Sequence, residues 1–336
     1  MLLQRRSSRT GEDRFPLPAQ SARRVAAARP DLLSEEDTMP DTPATDVIGR
    51  VDALLKESRR RYPDALATAG RLRESQHGRQ LSWPSWCWPP MAGFHAYLTG
   101  KGVFPALELG RVTALTLWRL GRGVYVPDTE VADNAAGTLH ATTSGGAAAW
   151  DRAVLLRVQD WARLPEWCCY LSFPSGFERR EDVDAVLAPA GVFVHLEHDH
   201  NTGRPELRLL LDIDGTWDNL IPIPVYLDRP TLGAALADAG AVTQAVQAGH
   251  IGADVRSLAG PTRTDAVSGL IAWNVLPLAL SLIDPDARFA GPTSPGTVPA
   301  PAQRHAGGLW KPAPATTQWN ITYRSPGPHL KLVPTM

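Results

Sequence analysis

The chain has 336 residues, 43% hydrophobic and 21% charged, ordinary proportions for a globular protein with a sizeable core. A formal net charge of −1 excludes a global basic field able to hold nucleic acid or an anionic membrane, although it is compatible with local basic patches. Three cysteines, Cys87, Cys168 and Cys169, two of them adjacent, exclude a disulfide framework and fit a reducing, cytoplasmic setting.

Residues 1–44 mix arginine, serine, proline and acids without hydrophobic periodicity and read as a disordered extension. No apolar run follows Arg5, Arg6 and Arg9, so this is not a secretory leader. Met39 is an alternative start, which leaves two readings of residues 1–38: a flexible extension or an untranslated stretch.

A globular domain is expected over 45–290. It opens with a helix capped by Thr45 or Asp46, whose apolar stripe is Val47, Ile48, Val51, Leu54 and Leu55. The run KESRRR continues it as a solvated face. In LSWPSWCWPPM, Leu81–Met91, Pro84, Pro89 and Pro90 forbid a regular helix. A second helix spans Pro105–Leu120, with Leu107, Val112, Leu115, Leu117 and Trp118 apolar and Gly121 as its stop. VYVPDTEVADN reads as a strand-like piece and one helical turn. After the linker HATTSGGAAA, Trp150–Arg163 is helical again.

Four short runs follow that are rich in β-branched, leucine and aromatic residues: WCCYLSF, GVFVHLEH, ELRLLLDID and LIPIPVYLD. The polar turn DHNTGRP makes the second and third an antiparallel hairpin. Helices are then expected over Thr231 to about Gln247 and over Asp265–Ile283. The latter is apolar around its circumference, hence buried, and kinked at Pro277. Its longest apolar run, Gly269–Ile283, falls short of the roughly 20 residues that span a bilayer. Residues 291–336 are rich in proline and glycine, with one ordered island, LWKPAPATTQWNITYR, at 309–324. The class this order defines is α+β: a small, mainly antiparallel sheet of about four strands packed with helices on its N- and C-terminal sides.

Several groups invite a chemical reading. HLEHDH, His195–His200, offers three histidines and two acids to a metal. Strand alternation splits them, with His195, Glu197 and Asp199 on one side and His198 and His200 on the other, so a solvated hairpin tip is the plainer reading. Asp212, Asp214 and Asp218 lack the later glutamate of a calcium loop, and a strand ending in an Asp-Gly turn explains them. Cys168 and Cys169 cannot share one face of a strand, and a reactive thiol would need a basic partner that is not near in sequence. There is no Walker loop, no GxGxxG after a strand, no GxSxG and no HExxH, so neither catalysis nor a cofactor is expected. Eleven tryptophans are many for this length. Trp83, Trp86, Trp88, Trp118, Trp167 and Tyr170 are the candidate partner-binding residues, since flat apolar rings with a polar edge suit a groove that grips a peptide. A tryptophan-rich core is the competing explanation for each.

The pieces WPSWCWPPM, LWRLGRGVYVPDTEV, LPEWCCYLSF, ELRLLLDIDG, LIPIPVYLDRPTLGAAL, GLIAWNVLPLALSLIDPDARFAG and QWNITYR occur in this order between Trp83 and Tyr323. In them the chain resembles the anti-CRISPR family that acts on the type V-A effector nuclease, a family associated with mobile genetic elements such as plasmids. LPEWCCYLSF is the most specific piece, through Leu164, Pro165, Trp167, Cys168 and Tyr170. The resemblance implies a non-catalytic protein that recognises the nascent effector near its N-terminus and lowers its production with loss of the message. Its partners would be that peptide and, through the message, ribosome or mRNA. The chain departs from the family after QWNITYR, where SPGPHLKLVPTM replaces a basic stretch rich in arginine, histidine and tryptophan; a truncated or never-acquired tail is the expectation. A metal-dependent enzyme using the 195–218 hairpin and a regulatory RNA-binding factor are the competing functions.

Overall fold

The computed structural model of the chain describes residues 46–80, 83–88, 91–103, 106–135, 157–174, 189–198, 203–238, 275–291, 298–305 and 310–324. Within these, one sheet divides two cores, and the adjacent thiols of Cys168 and Cys169 mark the division, one buried on each face. Seven strands make the sheet: β1 (Gly123–Pro127), β2 (Cys168–Ser172), β3 (Gly191–His198), β4 (Pro205–Asp212), β5 (Leu220–Tyr226), β6 (Ala287–Ala290) and β7 (Thr317–Tyr323). Their order is β5-β4-β3-β2-β1-β7-β6. β2 to β5 are consecutive and antiparallel, whereas β1 runs parallel to both β2 and β7.

The expected sheet of about four antiparallel strands is therefore corrected to a mixed sheet of seven, although the α+β class stands. The four expected runs are β2 to β5. The additional strands complete the other half: β1, whose strand character was legible; β7, inside the C-terminal island; and β6, four residues without clear alternation. The parallel β1–β7 pairing aligns Val124 with Gln318, a partnership no local pattern encodes.

Alternation assigns every strand residue to a face. Val124, Cys168, Tyr170, Phe193, Leu210 and Leu220 face a layer of N-terminal helices: α1 (Val47–Arg61), α2 (Ala65–Glu74), α3 (Gln76–Gln80), α4 (Met91–Gly100) and α5 (Ala106–Gly121). Tyr125, Cys169, Leu171, Val194, Leu209 and Val225 face the opposite core, with Val131, Trp161, Leu232, Leu236 and Leu276. That second layer is built from short helical pieces at 129–135, Val158–Trp161, 232–238 and Leu276–Ala279, the last tightening into a 3-10 turn at Leu280–Leu282. Pro277 lies in this described segment, which directly follows Val275 in π-helical conformation, and the residues on the N-terminal side of the expected kink lie outside the described residues. Residues 239–274, most of the two expected C-terminal helices, lie outside the described residues, as do the expected extension 1–44 and residues 150–156.

Local chemistry accounts for the element ends. Asp46 caps α1, its Oδ1 accepting from Gly49 N at 2.9 Å. α5 ends at Gly121, and the left-handed residue that stops it is Arg122 rather than the expected Gly121: Arg122 takes φ 58° and its N–H donates to Trp118 O at 2.7 Å. This non-glycine is held there by its own side chain, which reaches Asp52 Oδ1 (2.7 Å), Thr316 Oγ1 (3.1 Å) and Pro314 O (3.2 Å). Gly123, just after it, has no room for a side chain, because a Cβ would lie 2.8 Å from the Glu166 carboxylate. Glu166 is buried and accepts from Gly123 N at 3.0 Å, so the Pro-Glu pair before β2 locks the α5–β1 turn. At the outer edge, Pro222 and Pro224 of β5 lack donors and blunt that strand against further pairing.

Candidate partner-binding site

Three indoles converge on one guanidinium. Arg73, near the end of α2, lies over the rings of Trp83 and Trp167 at 5.9 Å each and of Trp310 at 5.4 Å. Its Nη1 also donates to Cys87 O at 3.1 Å, tying the helix to the proline-interrupted segment. Burial lowers the Arg73 pKa, the neighbouring acid Glu74 opposing the shift. Trp167 stands immediately before β2 and donates from Nε1 to Ala302 O at 2.9 Å. Trp310 donates to Glu74 Oε1 at 3.2 Å, and Arg304 pairs with the other oxygen of Glu74 at 2.8 Å. The C-terminal segment thus supplies one wall of the cluster and α2 and the 83–88 segment the other.

Trp83, Trp167 and Trp310 are half-buried and reach the surface. Trp86, also half-buried, goes elsewhere: it packs against the opposite core and its ring lies 6.0 Å from that of His198. Trp88 (1% exposed) closes the floor beneath Trp310, edge-on at 5.4 Å. Trp118 and Tyr170, both 0% exposed, are central core residues packed edge-on against Phe193. The six expected residues therefore separate into two that join one surface cluster, one (Trp86) that turns to the opposite core, and three that burial removes from direct contact with a partner. Trp310 and Arg73 belong to the cluster and were not singled out; the ordered island around Trp310 was the available signal.

The buried polar groups sit on the α1–α5 side of the sheet. His195 and Glu197 are each 1% exposed, which corrects the solvated-tip reading for these two. They lie within β3, and Cys87 and Met91 approach Glu197 there. Glu197 Oε1 accepts from Met91 N at 2.7 Å and His198 N at 3.0 Å, with Cys87 Sγ at 4.0 Å. Burial pushes the Glu197 carboxyl up to about 8 and holds the His195 imidazole down at about 3, the latter aided by Arg208. Arg208, opposite His195 in register, pairs with Glu206 at 2.7 Å. Among the described residues no three histidine, cysteine or acidic side chains form a group that could hold a metal; Asp199 and His200 lie outside them. The thiols of Cys87, Cys168 and Cys169 are all pushed well up by burial, the opposite of an activated nucleophile. Asp212 ends β4 as expected: it accepts from Tyr170 Oη at 2.8 Å and from Gly215 N at 2.6 Å, with Gly215 at φ 79°. No helix among the described residues is long and apolar enough to cross a membrane.

Half-buried rings thus surround a cation at this surface. Residues 139–328 match the AcrVA2-like model, the anti-CRISPR type V subtype A2 family, and the chain belongs to that family. The matched stretch includes Trp167, Tyr170 and Trp310 but begins after Trp83, Trp86, Trp88 and Trp118. A solved structure, the crystal structure of AcrVA2, shares the fold with a TM-score of 0.52 at 16% identity, covering 81% of this chain and 83% of that one. No curated protein sequence matches the chain at a significant level.

Proposed function

We propose that the protein is an anti-CRISPR that binds a polypeptide of the type V-A effector, its N-terminal or nascent segment, and lowers production of that effector without catalysing a reaction. Membership of the anti-CRISPR type V subtype A2 family carries this reading. The peptide is assigned to the cluster of Trp83, Trp167 and Trp310. Rigid rings there offer contact area at low entropic cost, and Arg73 supplies charge for a carboxylate or carbonyl. Mobile-element origin and a cytoplasmic site of action belong to the same reading.

The test is fluorescence anisotropy with a labelled peptide from the effector N-terminus, using the wild type and Trp83→Ala, Trp167→Ala and Trp118→Phe variants. The first two are expected to weaken binding roughly tenfold or more, as for aromatic residues central to an interface, and the third to leave it unchanged. Equal affinity in folded Trp83→Ala and Trp167→Ala proteins would remove the peptide from this surface.

A further inference from the structure

An open cleft separate from the indole cluster is lined by Lys56, Arg59, Arg60 and Pro63 at the end of α1 and by Arg119 of α5. Positions 56, 59 and 60 share a helix face by their spacing. Arg60 is already engaged, forked onto Glu57 at 2.7 and 2.6 Å. Among the described residues, the side chains of Lys56, Arg59 and Arg119 have neither a carboxylate nor a hydrogen-bond partner. Arg119 is half-buried, and both its desolvation and the nearby Arg59 and Arg122 push its pKa down. Cations at the last turns of helices complement the helix dipole. That alone does not explain why two helices bring theirs to one concavity where, of the lining cations, only Arg60 is met by an acid, in a chain whose net charge is −1.

We propose that this cleft is an anion site that takes phosphate groups, with Arg59 and Arg119 gripping from opposite walls and Lys56 adding a point charge. Guanidinium forks match phosphate oxygens in pairs, and three unneutralised cations suit a group of higher charge and more acceptors than a single carboxylate. The phosphate belongs either to a nucleic-acid backbone or to a small phosphorylated molecule. Neither source uses the indole cluster.

The experiment uses the full chain with three probes: a fluorescent oligouridylate, inorganic pyrophosphate and polyglutamate. The wild type is compared with Lys56→Gln/Arg59→Gln and with Arg119→Gln; Lys56 and Arg59 are exposed, so the first variant keeps the fold, checked by its melting temperature. Losing charge-assisted bonds is expected to weaken phosphate binding by roughly tenfold or more. If the source is a backbone, the wild-type salt slope on oligouridylate is about −2 for three single-strand phosphates, and it falls by about 0.7 per cation removed. A response to pyrophosphate alone assigns a small phosphorylated molecule. No binding of either phosphate probe, binding indifferent to the substitutions, or polyglutamate held as tightly and lost in parallel would each overturn the proposal.

Discussion

Glu197 on β3 accepts the backbone N–H of Met91 at 2.7 Å, so a buried carboxyl pins the entry of α4 to the sheet. The bond fastens the far end of the tryptophan-bearing segment and leaves the carboxyl in a site that favours its neutral form. Burial raises its pKa from 4.5 to about 8. A carboxyl raised on folding contributes stability at low pH that is lost as pH climbs from 4.5 through about 8. Glu166, raised to about 7 by burial, acts in the same direction, while His195, lowered from 6.5 to about 3, contributes stability lost as pH falls through that lower range. Glu197→Gln keeps an acceptor for Met91 and removes the titration. Its melting temperature is expected to decline less between pH 5 and 8 than that of the wild type; an equal decline would show that Glu197 does not titrate there.

Arg122 separates backbone strain from side-chain anchoring. Arg122→Ala keeps φ 58° and loses the contacts to Asp52, Thr316 and Pro314, and is expected to cost about 2–3 kcal/mol in urea denaturation. Arg122→Gly loses the same contacts but removes the steric cost of the left-handed residue, about 1 kcal/mol. The glycine variant is therefore the more stable of the two. The reverse order would mean that the left-handed turn is unstrained.

The three thiols are expected to resist a maleimide reagent in the native protein and to react with it once the chain is denatured. Cys87, Cys168 and Cys169 are at most 1% exposed, and burial disfavours their thiolates. Rapid labelling of any one under native conditions, read by mass spectrometry, would reveal an opening of that core.

Tyr170 and Trp167, three positions apart, are expected to part company under mutation. Tyr170→Phe leaves Asp212 short of one donor inside the sheet and is expected to lower stability by about 1–3 kcal/mol, read by denaturant midpoint, without changing peptide affinity. Trp167→Phe keeps a ring and loses the bond to Ala302, so its stability changes little and its peptide affinity falls. A Tyr170→Phe protein of unchanged stability would show the buried hydroxyl to be dispensable.

Much of one half of the sheet was legible. β2 to β5 carry dense apolar runs, and the turn DHNTGRP joins β3 to β4 within a few residues, so local pattern and spatial neighbour coincide. The other half was not, because β1 finds its partner β7 across most of the chain. The burial of Glu197 was hidden for a related reason: its polarity was readable, but the groups that close over it, Cys87 and Met91, lie far away in sequence. The same holds for the indoles. Composition reports that rings are abundant, and only packing tells Trp118, sealed against Phe193, from Trp167 at the surface.

The insertion of β7 between β1 and β6 bears on how the molecule comes into being. Among the described residues β6 has no strand partner but β7, and β1 waits with one flank open, so half of the sheet stays unfinished until Thr317–Tyr323 arrives. An emerging chain can assemble the β2–β5 meander early but must leave the β1 flank unclosed until these seven residues dock, like a keystone set last. Termination just before Thr317 would thus cost the architecture far more than the few residues of the strand itself.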